Sequence, residues 1–212
     1  MPKKIFAKDV TLYDLETHFN LSLNEHAQFF SEWQTDLPEI NAVEQAFLDN
    51  VKTSYQHRTK YPATLANAVQ ITVVSPLLHL SEFLLPPFVL QTETSVQITT
   101  QDEEIQIEGR IDILMLREKI WALVIESKHA ELAIKVGFPQ ILSYMLATPT
   151  PERPCYGMVT NGGSFIFFKV AMGEMTESGN PEYGMSRVFD LVNPENDLYS
   201  VLRIMKKIRM LA

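Results

Sequence analysis

Two carboxylates and one amine stand out in this 212-residue chain because of where they fall. Asp112 interrupts the aliphatic run Ile111-Asp112-Ile113-Leu114, and Glu126-Ser127-Lys128 closes the apolar run Leu123-Val124-Ile125. A charged side chain inside an aliphatic strand is costly unless it is paired or metal-bound. Alternation at period two puts Glu126 and Lys128 on one face of an extended segment. If the two segments are antiparallel neighbours, Asp112 lies opposite that pair. Carboxylates converging at a sheet end suit a hard divalent cation, Mg2+ or Mn2+, with waters completing its octahedron. Asp112 and Glu126 are the candidate ligands, and the Ser127 backbone carbonyl is a further oxygen. A cation held there polarises a phosphoryl oxygen and acidifies a bound water. Lys128 can orient or deprotonate that water, or balance charge developing on the phosphate. The pattern therefore points to metal-assisted phosphodiester hydrolysis. The competing reading is a plain salt bridge between Asp112 and Lys128.

These residues need elements to position them. Phe88 to Thr100 alternates at period two, Gln101-Asp102-Glu103-Glu104 is a polar turn, and the alternation resumes through Ile105, Ile107, Ile111 and Ile113. Arg117-Glu118-Lys119 is a second turn before a strand from Ile120 to Glu126, which completes a three-stranded meander. Pro139 opens a helix running to about Ala147, ended by Thr148-Pro149-Thr150-Pro151. Gln140 and Tyr144 are i and i+4 on one face of it. Near that helix N-terminus the Gln140 amide either meets a phosphate or holds Lys128. Tyr156–Thr160 and Ser164–Val170 read as strands joined by a tight Asn161-Gly162-Gly163 turn. Residues 171–184 read as loop and 187–192 as a short edge strand. Leu198 to Leu211 is an amphipathic helix with Leu198, Val201, Met205 and Ile208 inward.

Upstream, residues 1–36 read as mixed and helical. One helix carries Leu12, Leu15 and Phe19, and a second spans about Glu25 to Gln34 with Asn24 as its cap. Pro38 is the expected first-turn proline of a helix carrying Glu44, Phe47 and Val51, and another helix is expected over 63–79. The sum is an α/β domain with a mixed sheet over residues 63–212, preceded by a helical extension over 1–62.

Composition sets the outer bounds. The 46% hydrophobic and 21% charged content is that of a globular chain. One cysteine, Cys155, excludes an internal disulfide framework and a multi-cysteine zinc site. The most apolar stretch, 71–90, holds His79, Glu82 and three prolines, so no membrane span is expected, nor a secretory signal, and the expected location is cytoplasmic. The net charge of −8 argues against a generic basic nucleic-acid coat. Its distribution softens that objection: residues 1–109 carry 6 basic and 15 acidic side chains, whereas residues 110–170 carry 7 and 5. The acidic N-terminal region is then the expected place for a protein partner or self-association into a homodimer.

The pattern Asp112-x13-Glu126-Ser127-Lys128 resembles the PD-(D/E)xK, or restriction endonuclease-like, nuclease superfamily. The resemblance covers roughly residues 65–170. It is closest to the branch typified by the N-terminal nuclease domain of type I restriction enzyme R subunits. Val74-Ser75-Pro76-Leu77-Leu78 is similar to the first-helix segment of that branch, Gly109-Arg110-Ile111-Asp112 to its G-x-x-D strand, and Gln140 to Tyr144 to its Q-x-x-x-Y helix. The resemblance implies a mixed sheet flanked by helices and a Mg2+-dependent endonuclease of restriction or repair type acting on DNA. Asp112, Glu126 and Lys128 would be catalytic, with Gln140 and Tyr144 supporting substrate contact or site geometry. The alternative is a catalytically silent nuclease-fold module that binds nucleic acid or protein. Two departures are visible. The motif's proline is absent before Asp112, and the first core helix near Ala66-Asn67 lacks the acid often found there. Glu44 or Glu82 is the candidate substitute.

Overall fold

The computed structural model describes residues 2–61, 66–100, 104–128 and 133–212. The meander is formed by β3 (Phe88–Thr99), β4 (Ile105–Arg117) and β5 (Ile120–Ser127), antiparallel in that order. The helix α5 (Phe138–Leu146) then crosses to β6 (Cys155–Thr160), which runs parallel to β5. β7 (Ser164–Ala171) returns as the hairpin partner of β6. β8 (Glu182–Met185) and the two-residue β9 (Phe189–Asp190) both add to β7, and α6 spans Leu198–Leu211.

The segment before residue 63 is woven into the same sheet. β1 (Lys3–Phe6) pairs parallel with β4, and β2 (Ser22–Leu23) pairs parallel with β8. The nine strands run β1-β4-β5-β6-β7-β8-β2, with β3 also on β4 and β9 on β7. α1 (Leu12–Phe19) and α2 (Ala42–Arg58) complete this segment. After it come α3 (Ala66–Val69), a π-helical turn over Gln70–Val74, and α4 (Ser75–Leu80).

Helices cover both faces. α2, the α3–α4 helix and α6 pack on one face around Leu48, Val73, Leu77, Phe167 and Met205. α1 and α5 pack on the other, around Leu15, Ile141, Met145, Val124 and Phe168. Coverage on both sides is why β5 and β6 read as continuous apolar runs rather than alternating ones. Among the described residues no helix is long and apolar enough to cross a membrane.

Five expectations change. Residues 1–62, expected as a helical extension, instead put β1 and β2 into the sheet, because these short extended pieces find β4 and β8 to pair with. The stretch expected as a helix over Glu25–Gln34 contains only a turn and a 3-10 turn, Ser31–Trp33. Asn24 does not cap it. Its Oδ1 instead accepts the His26 N–H at 2.9 Å in a local turn, and its Nδ2 donates to Glu182 at 2.6 Å. Pro38 does not open α2. Asn41 does, through a capping box with Glu44. Part of the stretch expected as loop forms β8, because it has β7 to pair with. The Gln101–Glu103 turn and the start of the helix expected over 63–79 lie outside the described residues.

The Asn161-Gly162-Gly163 turn is present as expected. Gly162 sits at φ +88°, and an added Cβ would lie 3.0 Å from Val69 Cγ2. Gly162→Ala combines backbone strain with a close contact to the helical layer. It should lower stability by about 1–3 kcal/mol, read as a lower urea midpoint at an unchanged m-value.

Candidate active site

β4 is longer than any strand that could cover it on one side. β3 pairs with it almost end to end. Its other edge is divided: β1 covers Ile105–Glu108 and β5 covers Ile113–Arg117. Residues 109–112 lie in the fork between β1 and β5. Asp112 is the last residue of the fork, and the end of β5 swings past it. There the Ser127 N–H donates to Asp112 Oδ2 at 2.7 Å. Glu126 and Lys128 are close by on one face of β5, as period two requires.

Lys128 is bound on two sides. Its Nζ donates to Glu126 Oε1 at 2.8 Å and to Gln140 Oε1 at 2.5 Å. Gln140 Nε2 donates to the Tyr144 hydroxyl at 2.7 Å, and that hydroxyl donates to the Arg110 carbonyl at 3.0 Å. Of the two roles open to Gln140, the geometry shows it holding the lysine. Among the described residues Lys128 forms its ion pair with Glu126, not with Asp112.

Two glycines permit this packing. A Cβ at Gly109, inside the fork, would lie 2.6 Å from Tyr144 Cε1 and 2.6 Å from Ala7 Cβ. Gly109 therefore lets the tyrosine ring lie over β4 and reach the Arg110 carbonyl. A Cβ at Gly137, just before α5, would lie 2.7 Å from Val159 Cγ1 and 3.3 Å from Lys128 Cε.

The site is nearly dry. Glu126 is 3% exposed. One of its oxygens takes the lysine; the other, Oε2, is buried and has no hydrogen-bond partner among the described residues, as is the Ser127 hydroxyl. Burial, with the Asp112 charge adding to it, pushes the Glu126 carboxyl up to about 7 against the pull of Lys128. Burial also raises Asp112 above its ordinary value, although the Ser127 N–H, Lys128 and Arg110 oppose it. Tyr144 is pushed up to about 12, first by burial and then by Glu126.

An unpartnered, buried carboxylate oxygen beside a second carboxylate suits a hard cation. Mg2+ is commonly held by one or two carboxylates, with waters and substrate phosphates completing its shell. Asp112 and Glu126 supply that set. Among the described residues no group of three or more His, Cys, Asp or Glu side chains gathers.

The proposed additional acid, Glu44, is not part of this cluster. Its Oε2 accepts the Asn41 N–H at 2.9 Å, and its Oε1 pairs with Lys206 of α6 at 2.5 Å. The Asn41-x-x-Glu44 spacing is a capping signal, and that local role claims the carboxylate. Glu82 pairs with Arg209 at 3.1 Å. Glu93 is the acid nearest in register. Its neighbours Thr92 and Thr94 pair with Ile113 and Ile111, on either side of Asp112. It has φ +53° and lies 3.6 Å from Arg110 Nη1. Sequence reasoning attached no structural role to Gly109 or the Arg110 carbonyl. The glycine beside a long strand's midpoint was the available signal, since it marks close approach.

Comparison of the chain with protein-family models and with curated proteins finds no match.

The Glu126 carboxyl sets a pH dependence. Between its ordinary value of 4.5 and about 7, the folded protein keeps a proton that the unfolded chain releases. Stability contributed at this position is therefore full below pH 4.5 and falls as pH rises through about 7. Glu126→Gln lacks that titration. From pH 5 to 8 in EDTA, wild type should lose stability relative to Glu126→Gln by up to about 3 kcal/mol, measured by urea unfolding.

Proposed function

We propose that this chain is a divalent-metal-dependent nuclease of restriction endonuclease-like fold that hydrolyses phosphodiester bonds in DNA. The observation that carries the reading is Glu126 Oε2, buried and unpartnered in a cluster with Asp112 and Lys128. The order of elements supports it. The α3–α4 helix, the meander carrying Asp112 and Glu126, and the helix carrying Gln140 and Tyr144 follow one another along the chain, in the order of the motifs that carry the resemblance.

Asp112 and Glu126 would hold the cation, and a cation bound there would supply Lewis-acid polarisation of a phosphoryl oxygen and a more acidic water. The Ser127 N–H fixes Asp112 through Oδ2. Lys128 has three donors, of which Glu126 and Gln140 occupy two. The third has no partner among the described residues and could donate to the attacking water or to a phosphate oxygen, where it would stabilise developing negative charge. Gln140 and Tyr144 lock the ammonium in place, so no reorientation is needed during reaction.

The purified chain with Mg2+ should cleave DNA, and EDTA should stop it. Asp112→Asn and Lys128→Ala should each lower the rate at least about 100-fold while cooperative thermal melting is retained. Variants that cut as fast as wild type would refute the assignment. A wild type that binds DNA in Mg2+ but never cuts it identifies the silent module instead.

A further inference from the structure

The wall of the site beyond the catalytic cluster is built by the N-terminal strand. A cleft of about 650 Å3 opens beside the fork and is lined by Phe6, Lys8, Gln97, Arg110, Gln140 and Tyr144, among others. Its lining thus includes Gln140, which holds Lys128, and Tyr144, which holds Gln140.

Three features of the cleft bear on what it can hold. Phe6 ends β1 in register with Glu108 and leaves its ring 64% exposed, although it sits on an ordered strand. Lys8 takes part in none of the ion pairs among the described residues. Arg110 has only Glu93, at 3.6 Å with both side chains mostly exposed, which is a weak tie. The one carboxylate among the described lining residues, Glu108, pairs with Lys4 at 2.7 Å. A protein of net charge −8 thus presents two available cations and an open aromatic ring at this place.

Cations that take phosphates, alternating with an aromatic face that takes a base, are the chemistry of single-strand recognition. A duplex keeps its bases stacked inside and offers an exposed ring nothing to stack on. We propose that the cleft holds a single DNA strand, with an unstacked base on Phe6 and flanking phosphates on Lys8 and Arg110. A strand so placed runs past Gln140 and Tyr144 toward the Asp112–Glu126 end. The substrate of the site is then single-stranded or frayed DNA. The identity of that substrate as something to be cut rests on the nuclease reading; the binding does not.

The test is fluorescence anisotropy of a labelled 12-nucleotide oligo(dT) with the full chain in EDTA, so that no turnover intervenes. Wild type should bind it at least about tenfold more tightly than a 12-base-pair duplex. Phe6→Ala should weaken single-strand binding about tenfold at an unchanged melting temperature, and Phe6→Trp should restore it. Lys8→Ala should reduce the salt dependence by about one phosphate contact. Equal affinity for the duplex, or wild-type affinity in Phe6→Ala, would overturn the proposal. If Phe6-dependent binding holds while Mg2+ brings no cleavage, the nuclease reading fails and the single-strand cleft stands. Duplex cleavage that depends on Asp112 but not on Phe6 means the reverse: the nuclease reading stands and the single-strand cleft fails.

Discussion

β4 has one open edge and two strands to share it. β1 takes one end and β5 takes the other, and the four residues between them are left without a strand partner on that side. Everything distinctive about the site follows from that gap. The N–H of Ser127, past the last β4–β5 pair, turns to the Asp112 carboxylate. The Arg110 carbonyl is met by a tyrosine hydroxyl from a helix that packs over the sheet. Gly109 supplies the clearance that lets the ring approach. A continuous ladder would have satisfied these backbone groups with backbone instead.

The hydrogen bonds leading away from the gap have a fixed direction. Lys128 donates to Gln140, Gln140 donates to Tyr144, and Tyr144 donates to a backbone carbonyl that can only accept. That polarity sets which way the Gln140 amide points. A glutamate there could accept from the lysine but, when ionised, would have nothing to donate onward. Because these groups are buried, each missing partner leaves another unsatisfied, so the members behave as a unit rather than as separate bonds. The carboxylate oxygen that the unit leaves unsatisfied is Glu126 Oε2. Ionising that carboxyl is also costly, since burial and Asp112 both act against its charge. A divalent cation relieves both penalties at once.

How far the sequence reveals this depends on whether the signal is local. Period two over Phe88–Thr99 and Ile105–Arg117, the Asn-Gly-Gly turn and the amphipathic Leu198–Leu211 helix are local patterns, and each element lies where its pattern puts it. Asp112, Glu126 and Lys128 are legible because charge inside an aliphatic run is expensive and therefore informative. Gln140 and Tyr144 are legible through their i, i+4 spacing. β1 is not. Lys3-Lys4-Ile5-Phe6 is a short segment whose partner on β4 lies far along the chain, so no short-range pattern announces it. The apparent helix over Glu25–Gln34 fails for the same reason. Glu32 is drawn to Lys169 at 2.6 Å and to the Tyr156 hydroxyl at 3.0 Å, both on distant strands, and these ties fix an irregular path.

The N-terminal segment changes meaning in the light of those contacts. On composition alone its surplus of acidic residues suggests a docking surface for a protein partner. In the fold, several of its charges are tied to the rest of the chain. Glu32 holds β6 and β7, Glu44 holds α6, and Lys4 holds Glu108 on β4. Its first lysines, by contrast, stand along β1 and the turn after it, next to the fork. Acidic side chains fasten the segment to the body of the protein, while Phe6 and Lys8 are left facing the cleft beside Gln140 and Tyr144. The segment thus lines the cleft beside the fork, and for any charged ligand there the local charge would count for more than the total.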